Sequence, residues 1–229
     1  MKHAPPGVPD ERHRWVFAFR VDGDLRFVSH HDMMRLFRRA LARADVPVRF
    51  SQGFNPHPRM SLPLPRPVGM ASDAEVLIVE MERDVESEDL LARLERCTPD
   101  DLHMVSARRL AMGERLEPAF VRYRFHPDRP LPSSDETDDL KSRIRRVLAA
   151  ETIQVERTKP GNASVRVVDI RPYIEHLTLA NDRVEFTLRV TDTGTARAAE
   201  VVGALGYCAE SINHRIRRIE VQWHQCVGA

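Results

Sequence analysis

The stretch SHHDMMRLFRRALARAD, residues 29–45, carries the clearest helix signal in the chain, and the rest of the fold can be predicted outward from it. Ser29 suits the N-cap position, and Asp32 three residues later completes an acidic capping pattern. Apolar side chains at helical spacing are predicted to face the core, namely Met34, Phe37, Leu41 and Ala44. The arginines fall on the opposite side, at Arg35, Arg38, Arg39 and Arg43. The segment is therefore predicted to be an amphipathic helix with a basic outer face.

Strand and helix patterns alternate around this helix. Residues 14–21 (RWVFAFRV) alternate between apolar and polar side chains, which predicts a strand, and residues 25–28 are predicted to extend a hairpin after a DGD turn. The later predicted elements are a strand at 46–52, a strand at 74–81, a helix at 87–97 capped by Ser87, and a strand at 102–108. This β-α-β-β-α-β order is typical of a ferredoxin-like unit.

The second half of the chain nearly repeats that rhythm. Its predicted elements are a strand at 120–125, a helix from Ser133 or Ser134 to about residue 150, hairpins at 153–170 and 174–190, a helix at 195–205 and a strand at 216–223. We therefore predict an α+β fold of two tandem ferredoxin-like domains, the second with extra hairpin strands. The predicted boundaries are a flexible tail at 1–13, domains at 14–110 and 119–229, and a linker at 111–118.

The composition of 42% hydrophobic and 30% charged residues is that of a globular protein. No segment approaches the apolar length of a membrane helix, and the N-terminal residues lack the apolar core of a secretory signal, so we expect a cytoplasmic protein. The three cysteines, Cys97, Cys208 and Cys226, lie far apart in the sequence. Their spacing argues against a disulfide framework and against a locally spaced zinc or iron–sulfur site.

Positive charge is concentrated in one segment. Residues 25–69 contain eight arginines and two aspartates, a net charge of +6, although the whole chain carries only +1. Such an asymmetry favours an anionic partner, with nucleic acid first. The alternative interpretation is a solvated basic helix face without a partner.

The loop SQGFNPHPRMSLPLPRPVG, residues 51–69, combines polar side chains with five prolines. Gly53 permits positive φ, and the prolines stiffen the chain, so the loop would lose little freedom on binding. We expect it to fold back over the amino end of the arginine-bearing helix and to form one recess with His30. The predicted substrate-binding residues are His30, Arg35, Arg38, Gln52, Gly53, Phe54, Asn55, His57 and Arg59.

Three chemistries are open for His30, Asp32 and His57 if they converge. They could ligate a divalent metal, perform acid–base catalysis, or hold a phosphate together with Arg59. We assign no catalytic or metal-binding residue, and keep His30 and His57 as alternative catalytic residues, either of which would act as general acid or base. In the second half, Asp169, Arg171 and Arg197 are further site candidates, with a mutual ion pair and an ordinary helix cap as their structural interpretations.

Two strings, LRFVSHHDMMRLFRRAL and SQGFNPHPRMS, resemble the N-terminal signature of the radical-SAM-linked protein family of uncharacterised function. The later VDIRPYI, GTAR and RIRRIEV segments are similar to the C-terminal half of that family, so the resemblance covers about residues 14–223. His31 departs from the pattern, where the family usually has an apolar residue. The resemblance implies a radical S-adenosylmethionine (SAM) protein as partner, often with a cobalamin-type domain.

No CxxxCxxC motif is present in the chain, so the iron–sulfur cluster and S-adenosylmethionine are expected in the partner, and no cofactor in this chain. Three hypotheses follow. The favoured one is a non-catalytic accessory subunit that binds and orients a substrate, RNA first, for the radical SAM enzyme. The others are a stand-alone, histidine-dependent RNA endonuclease and a protein-only interaction module whose basic helix docks on an acidic surface.

Overall fold

The computed structural model describes residues 13–127, 134–159, 162–209 and 212–227. Within these ranges the protein is α+β, with a large mixed sheet of eight strands, a separate two-stranded hairpin and four helices. The predicted α+β class is confirmed. The predicted N-terminal tail, apart from His13, and the Ser133 cap lie outside the described residues.

The first half of the chain contains two helices and four strands, most of which the sequence predicted with other bounds. They are β1 His13–Val21, α1 His30–Arg43, β2 Met60–Ser61, β3 Ala71–Met81, α2 Ser87–Glu95 and β4 Leu102–Arg109. The predicted extension at 25–28 is wrong, because Gly23–Phe27 forms a 3-10 turn with Gly23 at positive φ. The predicted strand at 46–52 is reduced to isolated bridges at Val48 and Phe50. The α2 N-cap is Glu86 rather than Ser87.

The second half contains four strands of the large sheet, the separate hairpin and two helices. Its elements are β5 Glu114–Phe125, α3 Ser134–Ala149, β6 Gln154–Lys159, β7 Asn162–Asp169, β8 Ile174–Ala180, β9 Arg183–Arg189, α4 Ala198–Ala204 and β10 Ile216–Val227. Residues 114–118, predicted as part of the linker, instead form the start of β5, because they pair with residues 223–227 of β10. Only residues 110–113 connect β4 to β5.

A single sheet runs through both halves in the order β4-β1-β3-β10-β5-β9-β8, and β2 pairs with β3. The strand order within each half is the same, β4-β1-β3-β2 in the first and β10-β5-β9-β8 in the second. The halves meet where β10 runs parallel to β3, with Arg217 opposite Ala71 and Arg218 opposite Ser72. That the halves are two ferredoxin-like domains stays a prediction.

Each half has its own apolar core. The first core contains the inward side chains of β1, β3, α1 and α2, and the second those of β5, β8, β9, α3 and α4. A third, smaller cluster of Val16, Ile78, Leu110 and Leu116 is joined by the half-buried Trp223. Val16 and Ile78 alternate with the first-core residues of their strands, so this cluster occupies the opposite face of the sheet.

Helix α1 positions the basic face that the sequence predicted. Ser29 is its N-cap, and the Ser29 Oγ accepts a hydrogen bond from the backbone N–H of Asp32. Its buried residues are Met33, Phe37, Ala40 and Leu41, and the Phe37 ring packs edge-on against Phe19 at 4.8 Å between ring centres. Met34, predicted inward, is only half-buried.

A buried ion pair joins the two halves. On β10, Arg218 is 1% exposed, and its Nη1 lies 2.7 Å from Oε1 of Glu75 on β3, which is 5% exposed. The guanidinium also donates to the carbonyl oxygens of Leu64 and Pro65, at 3.1 and 3.2 Å. Burial opposes its charge, but Glu75 and Tyr123 outweigh this effect and raise the pKa of Arg218.

We expect Glu75→Gln to lower the free energy of unfolding by about 3 kcal/mol, because it leaves the buried Arg218 guanidinium without a counter-charge. The matched control is Glu80→Gln. Glu80 lies on the same strand as Glu75, but its partner Arg59 is more exposed than Arg218. The control substitution should cost about 1 kcal/mol or less. Urea unfolding followed by circular dichroism measures both variants, and equal losses would contradict the role given to the buried pair.

Candidate functional site

Asp32 is committed to the amino end of α1. Its Oδ2 accepts a hydrogen bond from the Ser29 hydroxyl at 2.7 Å, and its Oδ1 lies 3.1 Å from Arg35 Nη1. The Ser29 hydrogen bond, and then Arg35, keep the pKa of Asp32 below its ordinary value. The carboxylate therefore serves as a cap and ion-pair partner, which leaves it poorly placed to ligate a metal.

His30 borders a narrow recess at the same end of α1. Ser29, Met33, Leu62, Arg66 and Glu75 line other parts of it, and its volume of about 20 Å³ has room for one water molecule. The recess is too small for a nucleotide or any similar ligand. It is a packing feature at the end of the helix rather than a substrate pocket.

Arg66 ties the exit of the proline-rich loop to the 3-10 turn before α1. It donates to the carbonyl oxygens of Leu25, Arg26 and Met70. Burial lowers its pKa, and the nearby Glu75 opposes that shift. Arg66 is thus a structural arginine that holds backbone, although its charge contributed to the predicted basic segment.

The first part of the loop forms a hairpin at the other end of β3. The Ser51 N–H donates to the His57 carbonyl at 2.8 Å, and the His57 N–H donates to the Ser51 hydroxyl at 2.9 Å. The base of this hairpin is anchored on Glu80, whose N–H donates to the Arg59 carbonyl and whose side chain pairs with Arg59 at 3.4 Å.

The tip of the hairpin projects into solvent. Phe54 is fully exposed, at 106% of its reference area, and its neighbours Gln52, Asn55 and His57 are also exposed. Gly53 adopts φ 131°, a value that L side chains rarely take, and no atom lies within 4 Å of where a Cβ would sit. Backbone conformation, rather than crowding, therefore requires glycine at this position. The hairpin holds an aromatic ring and several polar groups away from the protein body.

The expected recess of His30, Asn55, His57 and Arg59 is not formed. His30 shares its recess with Glu75, whereas Arg59 contacts Glu80, and five residues of extended strand span about 17 Å. His57 lies beyond Arg59 on the outer part of the hairpin. The expectation failed because the loop divides, so that its exit segment rather than its tip reaches the amino end of α1.

The outer face of α1 is strongly basic. Helix α1 contains four arginines and one aspartate, a net charge of +3 without its histidines. Arg35, Arg38, Arg39 and Ala42 line a shallow depression on that face. Arg35 pairs with Asp32, but no hydrogen bond or ion pair within the described ranges engages Arg38 or Arg39. These two guanidinium groups are available to an anionic partner.

The second-half candidates have structural contacts. Asp169 Oδ1 accepts hydrogen bonds from the N–H groups of Ile153 and Arg171, at 2.8 and 3.0 Å. The Arg171 guanidinium donates to the carbonyls of Leu148 and Ile174, so the two side chains do not form the ion pair considered from the sequence. Arg197 is the exposed N-cap of α4, and its N–H donates to the Glu200 carboxylate.

Sequence reasoning missed Arg218 and Glu75, and one signal could have found them. Glu75 is the only charged residue among the first six of AEVLIVEM, a strand predicted to be buried, and a buried acid requires a partner. The partner could not be named, because the sequence does not reveal that β10 lies beside β3.

No three His, Cys, Asp or Glu side chains come together as a metal site in the described part of the chain. Within the same residues, none of the helices combines the length and the apolar character needed to cross a membrane. The candidate site consists of two exposed features of the first half, the arginine face of α1 and the tip of the hairpin.

A family model described as "Uncharacterized protein conserved in bacteria (DUF2344)" matches residues 14–199. The chain belongs to this family. The matched range includes α1, the hairpin and all second-half candidates, so these are features of a DUF2344 protein. No curated protein matches the chain. Among solved structures, an unknown protein from Galdieria sulphuraria is similar at 14% identity and a TM-score of 0.26, over 95% of this chain and 100% of its own.

We expect Asp169→Ala to lower the free energy of unfolding by about 1–3 kcal/mol, because two partly buried backbone N–H groups lose their acceptor. Glu156→Ala on the neighbouring strand is the control, since that side chain is exposed and should change stability by about 0.5 kcal/mol or less. Thermal and urea unfolding report both values. An Asp169→Ala protein as stable as the control would contradict the bracing role of Asp169.

Proposed function

We propose that this DUF2344 protein is a non-catalytic accessory subunit that binds single-stranded RNA and presents it to a separate radical SAM enzyme. The observation that carries the RNA-binding part is the pair Arg38 and Arg39 on the outer face of α1, exposed and without a counter-charge among the described residues. Phosphate groups are the commonest anions that such a surface recruits, and their contacts account for most sequence-independent affinity.

The contrast with the rest of the molecule supports this proposal. Many exposed arginines elsewhere are neutralised by a neighbouring carboxylate, as in the pairs of Arg109 with Asp84, Arg122 with Glu220 and Arg189 with Glu175. Ion pairs of this kind keep a surface electrically neutral. The α1 face retains its charge and therefore attracts an anion from a distance.

The hairpin supplies the second contact in the proposal. Phe54 is exposed enough to stack on an unpaired base, and such stacking is tolerant of sequence. Gln52, Asn55 and His57 beside it offer hydrogen-bond donors and acceptors to the base or the sugar. The hairpin loses little freedom on binding, because Pro56 and Pro58 and the hydrogen bonds between Ser51 and His57 already order it.

The radical SAM partner rests on the resemblance of the SQGFNPHPRMS and LRFVSHHDMMRLFRRAL strings. The iron–sulfur cluster and S-adenosylmethionine would reside in that partner, and this chain would contribute orientation of the substrate near the reactive species. We also propose that the two halves, with their repeated strand order, are ferredoxin-like domains fused through β3 and β10.

A stand-alone endonuclease is disfavoured by the position of the histidines. His30 and His57 lie at opposite ends of β3, so only one of them could serve a given phosphodiester as general acid or base. The protein-only module remains an outcome of the experiment below.

The test measures binding of a fluorescent uridine-only RNA of about 15 nucleotides by anisotropy, over a series of salt concentrations. For Arg38→Gln/Arg39→Gln we expect weaker binding, and a slope of log affinity against log salt that falls by about 1.4, since each single-strand phosphate contact contributes about 0.7. The control is Arg115→Gln/Arg145→Gln, which removes the same charge from exposed positions outside α1.

An unchanged slope in the α1 variant, or an equal change in the control, would contradict RNA binding at α1. If the purified protein does not bind RNA but forms a complex with its radical SAM partner that charge reversal at Arg38 and Arg39 disrupts, the protein-only module is supported instead.

A further inference from the structure

The open face of the second half carries a groove that none of the features above explains. The groove has a volume of about 330 Å³ and lies across β10, β5, β9 and β8, on the side away from the second apolar core. Its lining is polar apart from one aromatic ring and consists of Phe120, Arg122, Glu175, His176, Thr187, Glu220 and Gln222.

Strand register arranges these side chains in two adjacent rows. In one row Gln222 lies opposite Phe120, and Phe120 opposite Arg189. In the next row the register is Glu220 opposite Arg122, Arg122 opposite Thr187, and Thr187 opposite His176. Four neighbouring strands thus present their side chains to one shared space, on elements more rigid than loops.

Two ion pairs lie at opposite sides of the groove. Arg122 Nη2 is 2.6 Å from Glu220 Oε2 on the β10 side, and Arg189 Nη2 is 2.5 Å from Glu175 Oε2 on the β8 side. Each guanidinium and each carboxylate retains hydrogen-bonding positions that the pair does not use. The groove is therefore close to neutral, but offers charged donors and charged acceptors on both sides.

The floor of the groove suits a flat ring. Phe120 is half-buried, and the Arg189 guanidinium lies over its ring, 5.8 Å from the ring centre, so a ligand would stack against this pair of groups. Planar bases stack on aromatic rings and on guanidinium planes alike. A ligand held there would have its edges directed at the ion pairs on either side.

We propose that this groove binds a guanine base, and, resting on the proposed function, that the base belongs to the bound RNA. Guanine presents two acceptors, O6 and N7, which a guanidinium engages in a bidentate manner. Its N1–H and exocyclic amino group on the other edge are two adjacent donors, which a carboxylate engages in the same way. Cytosine and adenine each offer only one exocyclic donor group beside ring acceptors, and uracil has no amino group.

The groove and the α1 face lie on opposite sides of the sheet, because α1 covers the first core and the groove faces away from the second. A bound strand would therefore pass around an edge of the molecule. The groove would add base selectivity to the sequence-independent contacts of α1 and the hairpin.

The first experiment titrates the purified full chain with guanosine, adenosine, cytidine and uridine 5′-monophosphates by isothermal titration calorimetry. We expect the guanine nucleotide to bind at least about tenfold more tightly than the other three. Inosine 5′-monophosphate, which lacks the exocyclic amino group, should bind more weakly than the guanine nucleotide. Equal affinities, or no binding of the guanine nucleotide at millimolar concentration, would overturn the proposal.

Variants place the binding in the groove. Glu220→Gln should lower the affinity for the guanine nucleotide by about tenfold, which is the effect of losing a hydrogen bond to a charged group. The matched control is Glu185→Gln, since Glu185 pairs with Arg124 in the next row but does not line the groove. Both pairs are partly exposed, so both variants should fold. An equal effect of the two variants would overturn the assignment of the groove.

The uridine-only RNA separates this inference from the proposed function. If that RNA binds through α1 while the guanine nucleotide does not bind, the groove proposal fails and the proposed function stands. If the guanine nucleotide binds while no RNA binds, the proposed function fails. The ligand of the groove is then a free guanine nucleotide rather than a base of RNA.

Discussion

The fold depends on one buried interaction, the ion pair between Arg218 on β10 and Glu75 on β3. It lies where two strands from different halves run parallel and convert two four-strand patterns into one sheet. An arginine that is 1% exposed is tolerated only when its charge is compensated. Glu75 supplies the charge, and the carbonyls of Leu64 and Pro65 accept further hydrogen bonds. The same side chain thus joins the halves and fixes the exit of the proline-rich loop.

That constraint divides the loop into two parts with different roles. The exit segment is held between the halves by Arg218 and against the turn before α1 by Arg66. The remainder is left to form a hairpin anchored at Glu80, with Phe54 at its exposed tip. The prolines, which suggested a stiff binding loop, therefore stiffen a structural connection at one end and a projecting hairpin at the other. In the first half, the hairpin and the outer face of α1 offer groups to a partner.

The sequence predicted the elements with strong periodicity well. Helix α1, its Ser29 cap and its arginine face follow from local spacing and capping, which act within a few residues. The strand at 46–52 is cut short because Val48 bridges β3 only at Met81, whereas Phe50 pairs with Pro58 of the hairpin. Which side chains meet depends on which strands become neighbours. This decides why His30 and His57 do not share a recess, and why Phe120, Arg122 and Thr187 lie side by side. Long-range pairing of that kind leaves no periodic signal in the sequence, so neither could be settled from residue spacing.

Photo-crosslinking tests the central claim, that RNA lies along α1 and the hairpin, most directly. The purified chain would be irradiated with a single-stranded RNA that contains 4-thiouridine, digested with protease and mapped by mass spectrometry. The account predicts crosslinked peptides from His30–Arg43 and from the hairpin around Phe54. Crosslinks confined to other surfaces, or none under conditions in which the protein is folded, would contradict it.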